Sequence, residues 1–182
     1  GGGTKEVLLR NLEMIPKDLP PGTEVDPLPY LARALMTVLR PDIKVSASGF
    51  AARQIGHLRD SDIIVMNKSR LIAEAKAQVL ALAGNYQPPR PKKITLYGAR
   101  AYAALKAQLY LFRKGGYMSE YDTLIATKVA EILTGGNLSQ PIEVSEQYVL
   151  DAERKVFMFL CHQKKTQERI AHMLKTGKPL RN

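Results

Sequence analysis

The residues whose types could do chemistry are few. Gly1, Gly2 and Gly3 precede TKEVLLR, and a glycine run opening a helix can cradle a phosphate, line an active site, or simply link two segments. A phosphate loop needs its glycines to run into Gly-Lys-Ser/Thr, and GGGTKE lacks that order. KGGY and TGGN lack the G-x-G-x-x-G spacing of a dinucleotide site, so Gly115-Gly116 and Gly135-Gly136 are expected to act as helix caps. Cys161 and His162 are adjacent, while His57 and His172 stand alone. No C-x-x-C or H-x-x-x-H pair converges as metal ligation requires, so no metal is expected. Nothing beside Cys161 in sequence would lower its pKa, and it is expected to be a buried structural thiol at the end of an apolar helix face.

Charge offers a second kind of chemistry. The chain carries 27 Lys/Arg against 17 Asp/Glu, a net +10, and residues 40 to 114 hold 14 of the former against 4 of the latter. Such a stretch attracts nucleic acid, an acidic lipid surface or a phosphorylated cofactor. Tyr86, Tyr97, Tyr102 and Tyr110 lie among its basic residues, but no RNA- or DNA-binding signature accompanies them, and a solvated basic face without nucleic acid is the expectation. With 45% hydrophobic and 24% charged residues, the composition is that of a globular chain. Apolar runs such as VLALA and VFMFLC are far shorter than a membrane span. One cysteine excludes an internal disulfide and, with no signal peptide evident, places the expectation in the cytoplasm.

The elements that must position these residues are mostly helical. A helix is predicted over Thr4 to Ile15, with Thr4 as its cap and Pro16 ending it. A proline-rich connector over 16–29 leads to an amphipathic helix that stops before Pro41, and a short helix from Ser46 to Ile55 is closed by Gly56. SDIIVM at 61–66 reads as a buried strand, followed by a helix from Ser69 to Ala83 with a broad apolar face. YQPPRPKK marks a boundary. Beyond it, a short strand at 94–98 precedes helices over 101–114, 120–133, 146–162 and 167–175; Ser119 with Asp122 forms a capping box, and Gly177 closes the last helix. The fold class is therefore mainly α with a few short strands.

Several segments resemble one family in order. GGGTKEVLLR and VSASGFAARQIGHLRDSDIIVMNKSRLIAEAKA are similar to the C-terminal half of a crotonase-like (enoyl-CoA hydratase) α/β domain, whose S-A-x-x-A-x-x-x-G-x-hydrophobic segment here is Ser46, Ala47, Ala51 or Ala52, Gly56 and Leu58. RKGGYMSEYD, ILTGGNL, VSEQYVLDAERKVF and KTQERIAHMLKTGKPLRN resemble the C-terminus of bifunctional 3-hydroxyacyl-CoA dehydrogenase/enoyl-CoA hydratase proteins of fatty-acid β-oxidation, departing from the pattern at Tyr148, where the family has tryptophan.

That resemblance implies two parts: the C-terminal half of a crotonase-like domain over residues 1–85 and a helical extension over 86–182. It implies that Gly1, Gly2 and Gly3 are the trailing edge of an active-site turn, with Glu6 and Glu13 on helix surfaces and not among the catalytic carboxylates. In the family the two catalytic glutamates, the oxyanion-hole glycine and the NAD-binding domain lie upstream, so no catalytic residue is assigned here. The implied partners are an acyl-CoA substrate, upstream domains of the same polypeptide and a homo-oligomer. Coenzyme A thioester and NAD belong to the full-length protein. Two other readings stand beside this one: a non-enzymatic helical assembly module, and a basic nucleic-acid-binding protein.

Overall fold

The computed structural model describes residues 2–39 and 46–182. Along the chain run α1 (Gly3–Leu12), α2 (Leu28–Leu39), α3 (Gly49–Gln54), a 3-10 turn (Lys68–Arg70), α4 (Leu71–Ala83), β1 (Lys93–Leu96), α5 (Gly98–Lys114), α6 (Glu120–Thr134), β2 (Ile142–Ser145), α7 (Glu146–Cys161) and α8 (Lys164–Thr176). The fold is mainly helical with one small two-stranded sheet. No helix among the described residues is long and apolar enough to cross a membrane.

Two compact units divide these elements: Gly1–Pro41 with Lys92–Asn182, and Asp42–Pro91. The first has a continuous apolar core. Leu8 and Leu9 of α1, Leu31 and Leu35 of α2, Leu105 and Leu109 of α5, Leu133 of α6 and Val149 of α7 are all buried in it. Each such side chain, removed from water, contributes roughly 1.5–3 kcal/mol before entropy is counted. α6 lies at the centre, packed against α1, α2, α5 and α7. Its start is fixed by the expected capping box, Ser119 with Asp122, and its end by Gly135 at φ +80°.

The sheet covers one part of this core. β1 and β2 pair antiparallel, with Ile94 opposite Val144 and Leu96 opposite Ile142. The sequence reading missed β2, although Ile142 and Val144 alternate with Glu143 and Ser145; a four-residue run behind Pro141 is too short to stand out. The strand expected over 94–98 spans 93–96, because Gly98 opens α5 instead. Gly98 has φ +69°, and a Cβ there would lie 2.3 Å from the carbonyl oxygen of Leu138. The same oxygen accepts a 2.8 Å hydrogen bond from the Ala99 amide, so the chain turns tightly against the 138 backbone.

The second unit contains α3, the 3-10 turn and α4. Ser48 caps α3 by accepting from the Ala51 amide, and Gly56, at φ +84°, follows its end as expected. Residues 61–66 form no strand, contrary to the sequence reading: Ile63 and Met66 are exposed, and the described residues of the unit include no second strand to pair with. A β-branched run without a ladder partner stays as loop. α4 occupies the expected span, but its apolar residues are not covered. None of the described residues of this unit is buried, and Ile72, Val79, Leu80 and Leu82 are all largely exposed.

Candidate functional site

The glycine turn anchors the candidate site. Gly1 lies outside the described residues. Gly2 has φ +102°, a left-handed backbone region that L side chains rarely adopt, and serves as the N-cap residue of α1. Gly3 is the first helical residue. Thr4 was expected to cap this helix and does not; it sits inside the first turn. The capping group comes from 149 residues away. Glu153 of α7 accepts hydrogen bonds from the Gly2 amide at 3.0 Å and the Thr4 amide at 3.4 Å, both on Oε1. A full negative charge at a helix N-terminus complements its dipole, and two amides aimed at one oxygen are the arrangement that stabilises an anion. Among the described residues that position is filled by the protein's own carboxylate. Glu153 Oε2 is buried and accepts no hydrogen bond.

One turn further along α1, Lys5 forms the second part of the site. Its ammonium is buried between Glu6 of the same helix and Glu146, the first residue of α7, at 2.7 Å from the latter. Burial alone would pull the Lys5 pKa down. The hydrogen bonds and charges of Glu146 and Glu6 outweigh it and hold the group above its ordinary 10.5. In turn, the hydrogen bond from Lys5, then the Lys92 amide at 3.1 Å, push the Glu146 carboxyl below its ordinary 4.5. The Lys92 ammonium pairs with Glu13 at the end of α1. Glu6 and Glu13 are thus both engaged in ion pairs on the flank of α1.

The remaining expected features are distributed elsewhere. Cys161 is half-buried where full burial was expected, because it ends α7 beside the two-residue link to α8. His162 faces its own helix, with Nδ1 2.7 Å from the Met158 carbonyl oxygen. No group of three or more His, Cys, Asp or Glu among the described residues could hold a metal. Gly116 and Gly177 adopt the expected left-handed conformation, whereas Gly115 is right-handed. The basic stretch falls across both units. In the part within the first unit, Lys92, Lys93 and Arg113 pair with Glu13, Glu143 and Glu120, while Lys106 and Lys114 lie over the Tyr102 and Tyr110 rings at 5.3 and 5.5 Å. Tyr97 and Tyr102 pack partly against the core, and burial raises both phenol pKa values.

The residues present do not fit NAD. Its phosphates need a glycine-rich turn between parallel strand and helix, and among the described residues the strands are antiparallel and β1 enters α5 through Tyr97, with Gly98 already the first helical residue. A shallow open hollow of about 290 Å³ lies along Ile63–Asn67 in the second unit, and the Arg70 guanidinium beside it already pairs with Glu74 at 2.9 Å.

Comparison with known proteins places this arrangement in context. The chain is 35% identical over 183 residues to a Bacillus subtilis (strain 168) protein named "Probable 3-hydroxyacyl-CoA dehydrogenase". The match takes in 100% of this chain and 22% of that relative. The chain spans about a fifth of the length of that relative. The relative's name gives a dehydrogenase and is silent on a hydratase. No protein-family model and no solved structure matches the chain.

Proposed function

We propose that this chain is part of an acyl-CoA enzyme of fatty-acid β-oxidation, in which NAD-dependent oxidation of 3-hydroxyacyl-CoA is coupled to hydration of enoyl-CoA. In this reading the cytoplasmic full-length polypeptide holds the catalytic groups, and this piece supplies one wall of the hydratase pocket through the turn at Gly1, Gly2 and Gly3. Residues 1–85 are the second half of the crotonase-like domain, and 86–182 its extension. The observation that carries the proposal is the end-to-end match to the dehydrogenase-named relative. The ordered resemblance of both tail and glycine turn supports the finer assignment. The test is enzymatic: the polypeptide translated with its upstream reading frame should reduce NAD with 3-hydroxyacyl-CoA and hydrate enoyl-CoA, and this chain alone should do neither. Turnover by the chain alone, or a longer polypeptide with no NAD reduction, would sink it.

A second reading is favoured by one specific observation. α4 is apolar nearly all round, and its unit buries none of its described residues. A helix of that composition is ordinarily covered on more than one side. We therefore also read this unit as an assembly surface, covered by upstream domains or by a second copy. Light scattering on the eluting chain would show self-association; a well-behaved monomer that shed no apolar surface dye binding would argue for upstream cover instead.

A further inference from the structure

We propose that Glu153 is the positioning residue of the glycine turn, so that the C-terminal part of the chain sets the geometry of the pocket wall. This rests on the reading that the turn borders the hydratase site. Glu153 reaches across 151 residues of sequence to hold the Gly2 amide and then the Thr4 amide on one oxygen. One helical turn before it on α7, Leu150 approaches Gly2 closely: a Cβ on Gly2 would lie 3.6 Å from Leu150 Cδ2. The same helix thus holds the turn by a charge and places a methyl group beside it.

The choice of residue is informative. A local Ser, Thr, Asn or Asp suffices to cap a helix, and Thr4 stands in the sequence close to where such a cap would be needed. Glu153 leaves its second oxygen buried without a donor, which is a poor arrangement for stability alone. What it adds is a negative charge fixed in direction, held by α7 rather than by the turn it caps. With φ +102° at Gly2, the direction of the backbone entering α1 depends on that grip. Loss of the carboxylate leaves the helix in place, since Leu8 and Leu9 remain in the core, but frees the turn.

Two measurements test this. In the chain itself, Glu153→Ala should speed amide exchange at Gly2 and Thr4 by about tenfold or more, the loss of a hydrogen bond to a charged group, while Leu8–Leu12 stay protected. Glu153→Gln, which keeps an acceptor, should fall between. Unchanged exchange at Gly2 and Thr4, or equal loss along all of α1, overturns the proposal. In the full-length polypeptide, Glu153→Ala should lower kcat for enoyl-CoA hydration by about 10- to 100-fold through misplacement of the pocket wall, with KM within about twofold and 3-hydroxyacyl-CoA oxidation unchanged. Glu153→Gln should restore part of kcat. A parallel fall in both activities marks a folding defect and overturns the positioning role. If the parent polypeptide does not hydrate enoyl-CoA at all, the functional reading fails, and the exchange experiment alone decides whether Glu153 sets the turn.

Discussion

Substituting Gly98 by alanine should be among the most damaging single-methyl changes in the molecule. Two costs add. At φ +69° an alanine occupies the left-handed region, a penalty of about 1–2 kcal/mol. The new Cβ would also sit 2.3 Å from the Leu138 carbonyl oxygen and 3.1 Å from its carbon, and these are backbone atoms that cannot rotate away. Moving that backbone disturbs the 2.8 Å bond from the Ala99 amide and the packing behind it, an overpacking cost of about 1–3 kcal/mol. The sum is about 2–5 kcal/mol. Gly116 is the control, since it has φ +77° with nothing within 4 Å of its Cβ position and should show the conformational cost alone. Thermal denaturation followed by circular dichroism measures both. For a chain of this size each kcal/mol lowers Tm by about 2–4 °C, so Gly98→Ala should melt several degrees below Gly116→Ala. Equal midpoints for the two variants would refute the close approach at Leu138.

Glu146→Gln should destabilise the fold by about 1–3 kcal/mol, because it deprives the buried Lys5 ammonium of one of its two carboxylates and weakens the bond from the Lys92 amide; chemical denaturation reads it. Stability should also depend on pH in two windows. Glu146 and Asp122 have folded pKa values below their ordinary 4.5 and 3.8, so their contribution is present above those values and is lost as pH falls through the lower folded ones. For Asp122, burial works against this, but the Arg169 and Ser119 hydrogen bonds prevail. Lys5 is raised above 10.5, so its contribution is complete below that pH and disappears as pH rises through the higher folded value. Melting temperature against pH should therefore show both limbs, and Glu146→Gln should flatten each. Finally, Arg169→Ala should release α8 and the C-terminal residues, since Arg169 holds Asp122 at 2.7 Å and Asn182 Oδ1 at 2.8 Å and stacks 5.0 Å over Tyr121. The loss of hydrogen-exchange protection should be confined to that helix.

Which features were legible in the sequence follows from the range of the interactions that fix them. The ends of α6 were readable because a capping box and a left-handed glycine act within four residues. α2, α5 and α7 were readable from apolar periodicity, which the core of the first unit then uses. The run at 61–66 failed for the opposite reason: its side chains suit a strand, but a strand also requires a neighbour, and among the described residues none pairs with it. The cap of α1 was assigned to Thr4 because the local pattern offered nothing else. Glu153 could not have been found that way, since a carboxylate in the middle of α7 reads as a solvated helix position until the fold brings it to Gly2. Lys5 is similar: a lysine in a first helical turn gives no hint of burial before Glu146 arrives beside it.

These long-range contacts bear on how the two ends of the sequence depend on each other. The first helix is held at its N-terminus by Glu153 and along its flank by Glu146, both from beyond the YQPPRPKK boundary, and at its C-terminus by Lys92 from within that stretch. Leu8 and Leu9 enter a core supplied largely by α2, α5 and α6. The segment over 92–182 is accordingly the structural support of the glycine turn, and a chain cut at the boundary would leave α1 and α2 with an exposed apolar face and an uncapped N-terminus. Because ionic and hydrogen-bonded contacts weaken with small displacements while apolar burial tolerates them, perturbing α7 should loosen the turn before it unfolds α1. That ordering is what makes α7 a suitable lever on the glycine turn.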